Sequence, residues 1–461
     1  MKSNCLGQNN PFYKKKVLVL GLGKTGIAAC RLLRSVGASV KATDKKKTIL
    51  ETTNFSRKEL SQIEFQLGSH TPSFINDCDY AILSPGIPFT APVLSWLKKR
   101  AIPLLSEIEL ASYYCSQPII AITGSNGKTT TTAWLEHTLN HAGFKAIAAG
   151  NIGYAFSQAL LENPTADYFI LELSSFQLKT IQQFRPYIAI LLNLSPDHLD
   201  VHTDLDDYFS SKLNIFKNQK KSDWAFVNIT EYTQLSALMN LKAPIKTFGY
   251  ENTSCANIFV KNDTIILAQN DKEIGLLSCN KIGLPGQHNI ENVMPVILTG
   301  LQLQIPLPVI IESIQTFKGK PHRLEICGKK GSITYINDSK ATTVDSVKKA
   351  LLAFEKDIIL IMGGRDKQAD FRDLRPLIKK SVRHLIVFGE SQEKITTQLA
   401  NIIPIVQTKS LFEAIQSASH HAIKNSIILF SPGCTSFDLY NNYEERGNDF
   451  KKIVAALIRT A

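Results

Sequence analysis

Residues 123–130, TGSNGKTT, place two glycines, a lysine and two threonines where a phosphate group could be gripped. Gly124 and Gly127 would free backbone amides to face phosphate oxygens. Lys128 would reach the terminal phosphates, and the Thr129 hydroxyl would sit on a magnesium ion. The usual phosphate-loop pattern asks for a glycine five residues before Gly127, but Ile122 stands there, which implies a tighter loop. Such a loop needs an acid to hold its metal. The string FILELSS offers Glu172 at the end of an apolar run. Alone, a carboxylate there is usually just solvated; beside a GKT loop it reads as a metal ligand.

A second glycine-rich loop lies earlier, GLGKTG at 21–26, with Asp44 closing the next strand 21 residues after Gly23. This pattern permits a tight turn and close approach of a diphosphate to a helix N-terminus. It fits NAD, another nucleotide diphosphate, or no ligand at all, because helix–strand packing can demand the same glycines. Further along, NLSPDHLDVH gathers Asp197, His198, Asp200 and His202 at another strand end, one strand beyond Glu172. DDYFSSKLNIF, read as a helix, sets Lys212 among Tyr208, Phe209, Ile215 and Phe216. A bare ammonium on an apolar face is costly, so either its stem snorkels outward or something nearby uses the amine. NDSKATT (337–343), GGRDKQADF (363–371) and the long SPGCTSFDLYNNYEERGNDF (431–450) each follow an apolar run and offer hydroxyls, lysines and loop amides to an anion.

Strands ending in such loops must position these groups. KKVLVLGLGKTG reads as a buried strand turning into a helix, and ASVKATD, YAILSPGIP and IPLLSEIEL continue a βα alternation. The pattern restarts at QPIIAITGSNGKTT and runs through DYFILELS and IAILLNLS. It begins a third time after GKPHRLE, with ITYINDS, IILIMGG, HLIVFGE and IILFSPG. Apolar runs of this kind are typical of parallel strands. The chain should therefore form three α/β domains, residues 1–115, 116–318 and 319–461.

The 461 residues, 44% hydrophobic and 20% charged, suit an ordinary globular protein of that size. No apolar run reaches the ~18–20 residues of a membrane span, and MKSNCLGQNNPFYKKK lacks the apolar core of a signal peptide. A cytoplasmic protein without membrane contact is expected. The eight cysteines come no closer than Cys255 and Cys279, 24 residues apart, so no CxxC metal or redox pair exists. Reduced, mostly buried thiols follow. The formal charge of +12 is spread along the chain, its only runs of three lysines being Lys14–Lys16 and Lys45–Lys47, neither with interleaved aromatics. That argues against nucleic acid and for small polyanionic substrates.

The strings TGSNGKTTT, ELSSFQL, NLSPDHLD, PGQHNIEN, PHRLE and NDSKATT together resemble the Mur ligases, from about residue 15 to 450. These enzymes use ATP to add amino acids to the peptidoglycan stem peptide, and their own loop is T-G-[ST]-N-G-K-T, without the first glycine. The NDSKAT string and the SPGxxSFD…ERG ending resemble the members that add D-glutamate to UDP-N-acetylmuramoyl-L-alanine. Gly433 and Thr435 depart from that pattern, where alanines are common, as does Thr343, where asparagine is frequent.

The resemblance implies a Rossmann-like N-terminal domain that binds the UDP end of the substrate, a central phosphate-loop domain for ATP, and a C-terminal Rossmann-like domain for D-glutamate. Lys24, Thr25, Asp44, Ser84, Gly86, Asn151 and His198 would hold the UDP substrate. ATP would meet Gly124, Ser125, Asn126, Gly127, Lys128, Thr129 and Thr130, with Asn289, Asn292, Arg323, Asp338 and Lys340 around its adenosine. D-glutamate would lie against Thr342, Lys367, Ser436, Phe437 and Tyr443. Two magnesium ions would be held by Thr129, Glu172, His198 and Lys212, the last as a carbamate, and Lys128, Glu172, His198 and Lys212 would form the catalytic set. A monomer is expected. Two rivals stay open: another ATP-dependent amide ligase, such as a folylpolyglutamate synthase, and a nicotinamide-dependent oxidoreductase or nucleotide-binding regulator using only the first loop.

Overall fold

The computed structural model describes residues 10–195, 204–235, 241–251, 256–270, 272–284, 286–354, 357–366 and 369–459. Three sheets organise them. The first holds β1 (Lys16–Leu20), β2 (Ser39–Asp44), β3 (Ile63–Leu67), β4 (Tyr80–Leu83) and β5 (Leu104–Ser106), all parallel, in the order β3-β2-β1-β4-β5. The order reverses between β1 and β4, so the loops leaving those two strands open a crevice rather than covering it.

The central sheet contains β6 (Ile119–Thr123), β7 (Ala146–Gly150), β8 (Tyr168–Glu172), β9 (Ile188–Leu191), β10 (Trp224–Asn228) and β11 (Ile245–Phe248), parallel in the order β11-β10-β9-β6-β8-β7. β12 (Ile258–Lys261) pairs parallel to β11. β13 (Thr264–Gln269) and β14 (Lys272–Ser278) then extend the edge antiparallel. β6, β8 and β9 are buried on both faces, which explains their unbroken apolar sequences.

The third sheet joins β15 (Glu325–Lys330), β16 (Ile333–Asn337), β17 (Ile358–Gly363), β18 (Val382–Phe388), β19 (Ile405–Gln407) and β20 (Ile427–Phe430) in the order β15-β16-β20-β17-β18-β19, with only β15 antiparallel. Each of the three domains is thus built on a mainly parallel sheet.

By packing, the chain divides into two compact units: Met1–Lys281 with Glu291–Ile314, and Ile282–Ile290 with Gln315–Ala461. The first unit contains the first two sheets. One apolar core runs between them, where the helix Lys24–Ser35 (Ala29, Leu32, Leu33) packs with the helix Phe156–Glu162 (Phe156, Ala159, Leu160). The leucine and phenylalanine side chains among them each contribute roughly 1.5–3 kcal/mol on full burial, enough to hold the two domains as one body. Cys30, Cys78, Cys279 and Cys434 are buried free thiols, and Cys115 and Cys327 are half-buried ones. Among the described residues no helix is long and apolar enough to cross a membrane.

Candidate active site

The first glycine loop leaves β1 at the sheet's switch point. Leu22 donates its amide to Asp44 Oδ2 at 2.8 Å, and Ser84, leaving β4, donates its hydroxyl to the Gly21 carbonyl at 2.9 Å. The third glycine of the pattern has a steric reason: a Cβ on Gly26 would lie 1.9 Å from the Gly21 carbonyl oxygen. Above this turn is a cavity of about 430 Å³. Lys24, Thr25, Asp44, Ser84, Gly86 and Asn151 all line it, so the described residues expected at a UDP site converge. The sequence reading missed Lys45, His70 and Gln177, which also face the cavity. His70 is held by the Thr43 hydroxyl at 2.9 Å; burial, with Lys45 nearby, keeps its imidazole below the ordinary histidine pKa despite Asp44. Only the pairing of β2 with β3 brings it there, a signal that spacing does not carry.

The second loop leaves β6, where the central order reverses between β8 and β9. It is stitched to the segment after β9. Ser125 and Asn126 donate their amides to the Asn193 carbonyl and Oδ1, each at 2.8 Å, while the Ser125 hydroxyl lies 3.0 Å from that of Tyr208. Gly127, at φ +82°, caps the helix Lys128–His141, and a Cβ there would strike Asn292 Oδ1 at 2.2 Å. The chain thus packs Asn292 onto the loop as closely as only glycine permits. Lys128 folds back, donating to the Gly124 and Ser125 carbonyls at 2.6 and 3.0 Å.

Glu172 ends β8 beside the loop and is only 3% exposed. Its Oε1 accepts from Asn151 Nδ2 at 2.9 Å, whereas Oε2 is buried with no hydrogen-bond partner among the described residues. Asn151 therefore lines the first cavity and touches the acid of the second loop. Lys212 is 2% exposed, with Nζ 2.9 Å from the Gly124 carbonyl and 4.6 Å from the centre of the Tyr208 ring. Its helix ends at Leu213 and continues as the 3₁₀ turn Asn214–Phe216. Ile215 and Phe216 are thus buried from that turn and not from a continuing α-helix.

His198 lies outside the described residues, as does Lys367. Asn292 belongs to the first unit, and Asn289, Arg323, Asp338 and Lys340 belong to the second. There Asp338 is buried, accepting from the Ser431 hydroxyl at 2.9 Å and the Leu324 amide at 3.3 Å. Burial pushes its carboxyl up to about 7, against the pull of these donors and of Arg323. Lys340 lies 5.1 Å over the Tyr443 ring, Thr342 is half-buried, Ser436 is buried, and Phe437 is 60% exposed. Thr435 donates its hydroxyl to the Arg365 carbonyl at 2.9 Å, a bond that alanine could not make.

Arg446, fully buried, was not singled out from the sequence. Its guanidinium donates to the Ser339 hydroxyl (3.1 Å) and carbonyl (2.8 Å), the Cys434 carbonyl (3.1 Å) and the Gly363 carbonyl (3.4 Å). It thereby ties together the loops after β16, β17 and β20. Burial lowers its pKa to about 10, which leaves it cationic at neutral pH. Arg446→Ala should cost about 3–5 kcal/mol by urea unfolding of the second unit, since it orphans several acceptors and opens a cavity. Arg446→Lys should recover less than half of that, lacking the planar fork.

Family models match the chain along most of its length: a Mur ligase MurD-like N-terminal domain over residues 15–106, a Mur ligase middle domain over 122–300, and a Mur ligase glutamate ligase domain over 322–434. The UDP-N-acetylmuramoylalanine--D-glutamate ligase of Syntrophus aciditrophicus is 38% identical over 443 residues, covering 96% of this chain and 98% of that protein. The enzyme of the same name from Christiangramia forsetii is 38% identical over 450 residues, covering 96% and 100%. In fold, the chain is similar to the MurF ligase of Thermotoga maritima in complex with ADP, with a TM-score of 0.59, 15% identity and full coverage of both chains. It is also similar to the UDP-N-acetylmuramate-alanine ligase MurC of the same organism, with a TM-score of 0.58, 19% identity and coverage of 96% and 100%. Two glycine-rich loops at the switch points of adjoining sheets, a third α/β domain and this full-length similarity agree: the chain belongs to the Mur ligase family.

Proposed function

We propose that this chain joins D-glutamate to UDP-N-acetylmuramoyl-L-alanine at the expense of ATP, releasing ADP and phosphate, as a cytoplasmic monomer in peptidoglycan precursor synthesis. The observation that carries the reading is the hydrogen bond from Asn151 to Glu172, which links the cavity at the first loop to the acid beside the second. Two phosphorylated molecules held there would meet at their reactive ends. In this reading residues 1–115 take the UDP substrate, 116–318 ATP and 319–461 the amino acid.

The chemistry follows from charge. A carboxylate and an ammonium do not condense in water, so the alanyl carboxylate attacks the γ-phosphorus of ATP, forming an acyl phosphate and ADP. The amine of D-glutamate then attacks the acyl carbon and phosphate leaves. Both first reactants are anions, and Lys128 at the loop neutralises their approach. The Oε2 of Glu172, without a hydrogen-bond partner among the described residues, suits a cation, and magnesium would be held by it together with Thr129, His198 and Lys212. Bound magnesium would add positive charge at the phosphate oxygens. Asn289, Asn292, Arg323, Asp338 and Lys340 are assigned to the adenosine of ATP, and Thr342, Lys367, Ser436, Phe437 and Tyr443 to D-glutamate. Lys212 is assigned a carbamate, formed when its neutral amine adds to carbon dioxide and loses a proton. Burial favours the neutral amine, and a bound cation offsets the cost of the new anion.

An ADP-release assay tests the reading. With UDP-N-acetylmuramoyl-L-alanine and ATP, turnover should require D-glutamate and yield ADP and inorganic phosphate. AMP with pyrophosphate would overturn the acyl-phosphate route. Equal rates with L-glutamate or L-alanine would place the chain elsewhere in the family.

A further inference from the structure

The helix Glu107–Ser112, leaving β5, buries two carboxylates at the junction of the first and second domains. Glu109 is fully buried and well satisfied, accepting from the amides of Gln182, Gln183 and Phe184 at 2.9, 2.8 and 2.9 Å. It anchors the turn that precedes β9. Glu107, two residues earlier and 2% exposed, is different. Its Oε1 accepts from the Ser157 amide, but its Oε2 has no hydrogen-bond partner among the described residues, and neither does Thr180 Oγ1. Both residues line a space of about 10 Å³, the room of a single water. Pro85, Ile87 and Gln177 form walls of both that space and the 430 Å³ cavity.

Ser157 lies in the first turn of the helix Phe156–Glu162, and the residues just before it, Gly150, Asn151, Gly153 and Ala155, are the second-domain wall of the cavity. From the first domain, Gly21, Gly23, Lys24 and Thr25 also line it. We propose that Glu107 is a positioning residue for this cavity: through the Ser157 amide it fixes one wall against the other, and so sets the affinity for a nucleoside diphosphate. This rests on the reading of the cavity as the UDP site. A preformed cavity spares the ligand the cost of ordering its walls. Glu109 holds the two domains together independently, so loss of Glu107 loosens the wall without separating them. Burial pushes the Glu107 carboxyl up against the pull of Ser157 and Phe156, and the side-chain oxygen of a glutamine in its place can accept from the same Ser157 amide.

Calorimetry on the full chain tests this, with UDP and ATP as separate probes and thermal unfolding alongside. Glu107→Ala should weaken UDP binding by about tenfold or more and change ATP binding by less than about twofold, while Glu107→Gln stays within about threefold of the native chain for both. If the alanine variant fails to fold, Glu107→Asp, one methylene short of Ser157, replaces it with the same expectation. Native UDP affinity in these shortened variants would overturn the proposal. A parallel loss of UDP and ATP binding, or loss of UDP binding in the glutamine variant, would also do so. A native chain that binds no UDP would instead overturn the reading of the cavity, and the proposal with it.

Discussion

Lys128→Ala is expected to lower the rate of ADP release by about 10³-fold or more, equivalent to ~4 kcal/mol of transition-state stabilisation. The lysine roots the helix Lys128–His141 and bends over its own loop, with Nζ on the Gly124 and Ser125 carbonyls. A transferring phosphoryl group would find a fixed cation there. Lys128→Arg should restore little, because a planar guanidinium cannot occupy the space in which Nζ lies 2.6 Å from a carbonyl oxygen. UDP affinity measured by calorimetry should change by less than about threefold, because substitutions away from a site rarely exceed ±0.5 kcal/mol and Lys128 does not line the first cavity. Comparable loss of UDP binding would mean that the two loops have been assigned to the wrong ligands.

Lys212→Ala is expected to lose about 10²–10³-fold in rate, and the direction of its rescue decides the chemistry. Lys212 is buried against Tyr208 and the Gly124 carbonyl, inside the wall of the phosphate loop. A carbamate there is an anion with longer reach than glutamate. Acetate should therefore restore activity to Lys212→Ala, and methylamine should not. Buffers stripped of carbon dioxide should slow the native enzyme. Lys212→Arg, which keeps the charge but forms no carbamate, should stay as slow as the alanine variant. Rescue by methylamine alone would show that the residue works as a cation. Thermal unfolding of each variant separates these effects from lost packing around the buried stem.

Much of the candidate site's local geometry was legible in the sequence because it is short-range. A glycine at φ +82° before a helix, a lysine one residue on and an acid at the end of an apolar strand are short-range facts, and TGSNGKTT with FILELSS encodes them. That Lys212 shares a helix face with Tyr208 was legible for a similar reason, since helical spacing fixes such neighbours; that its amine is buried and does not snorkel outward was decided by packing. The edge of the central sheet was not legible. Beyond β12, which is parallel to β11, β13 and β14 add an antiparallel extension to a sheet that reads as parallel, because an edge strand's direction is set by its partner and not by its own residues.

The sequence by itself determined the three βα series, the two glycine-rich loops at strand ends and the residue types able to do phosphoryl chemistry. Each follows from periodicity and backbone geometry within a few residues. The tertiary structure decided what lies beside what. Strand order put Ser84 against Gly21 and β8 next to β6, placing Glu172 beside the loop. It also carried Asn151 from the end of β7 to Glu172, and His70 from the end of β3 to the first cavity. Arg446 could be recognised only once three loops, from residues 339, 363 and 434, converged on its guanidinium. Such contacts join residues tens of positions apart, and no local propensity records them, because burial and hydrogen-bond satisfaction are settled only when whole sheets have packed.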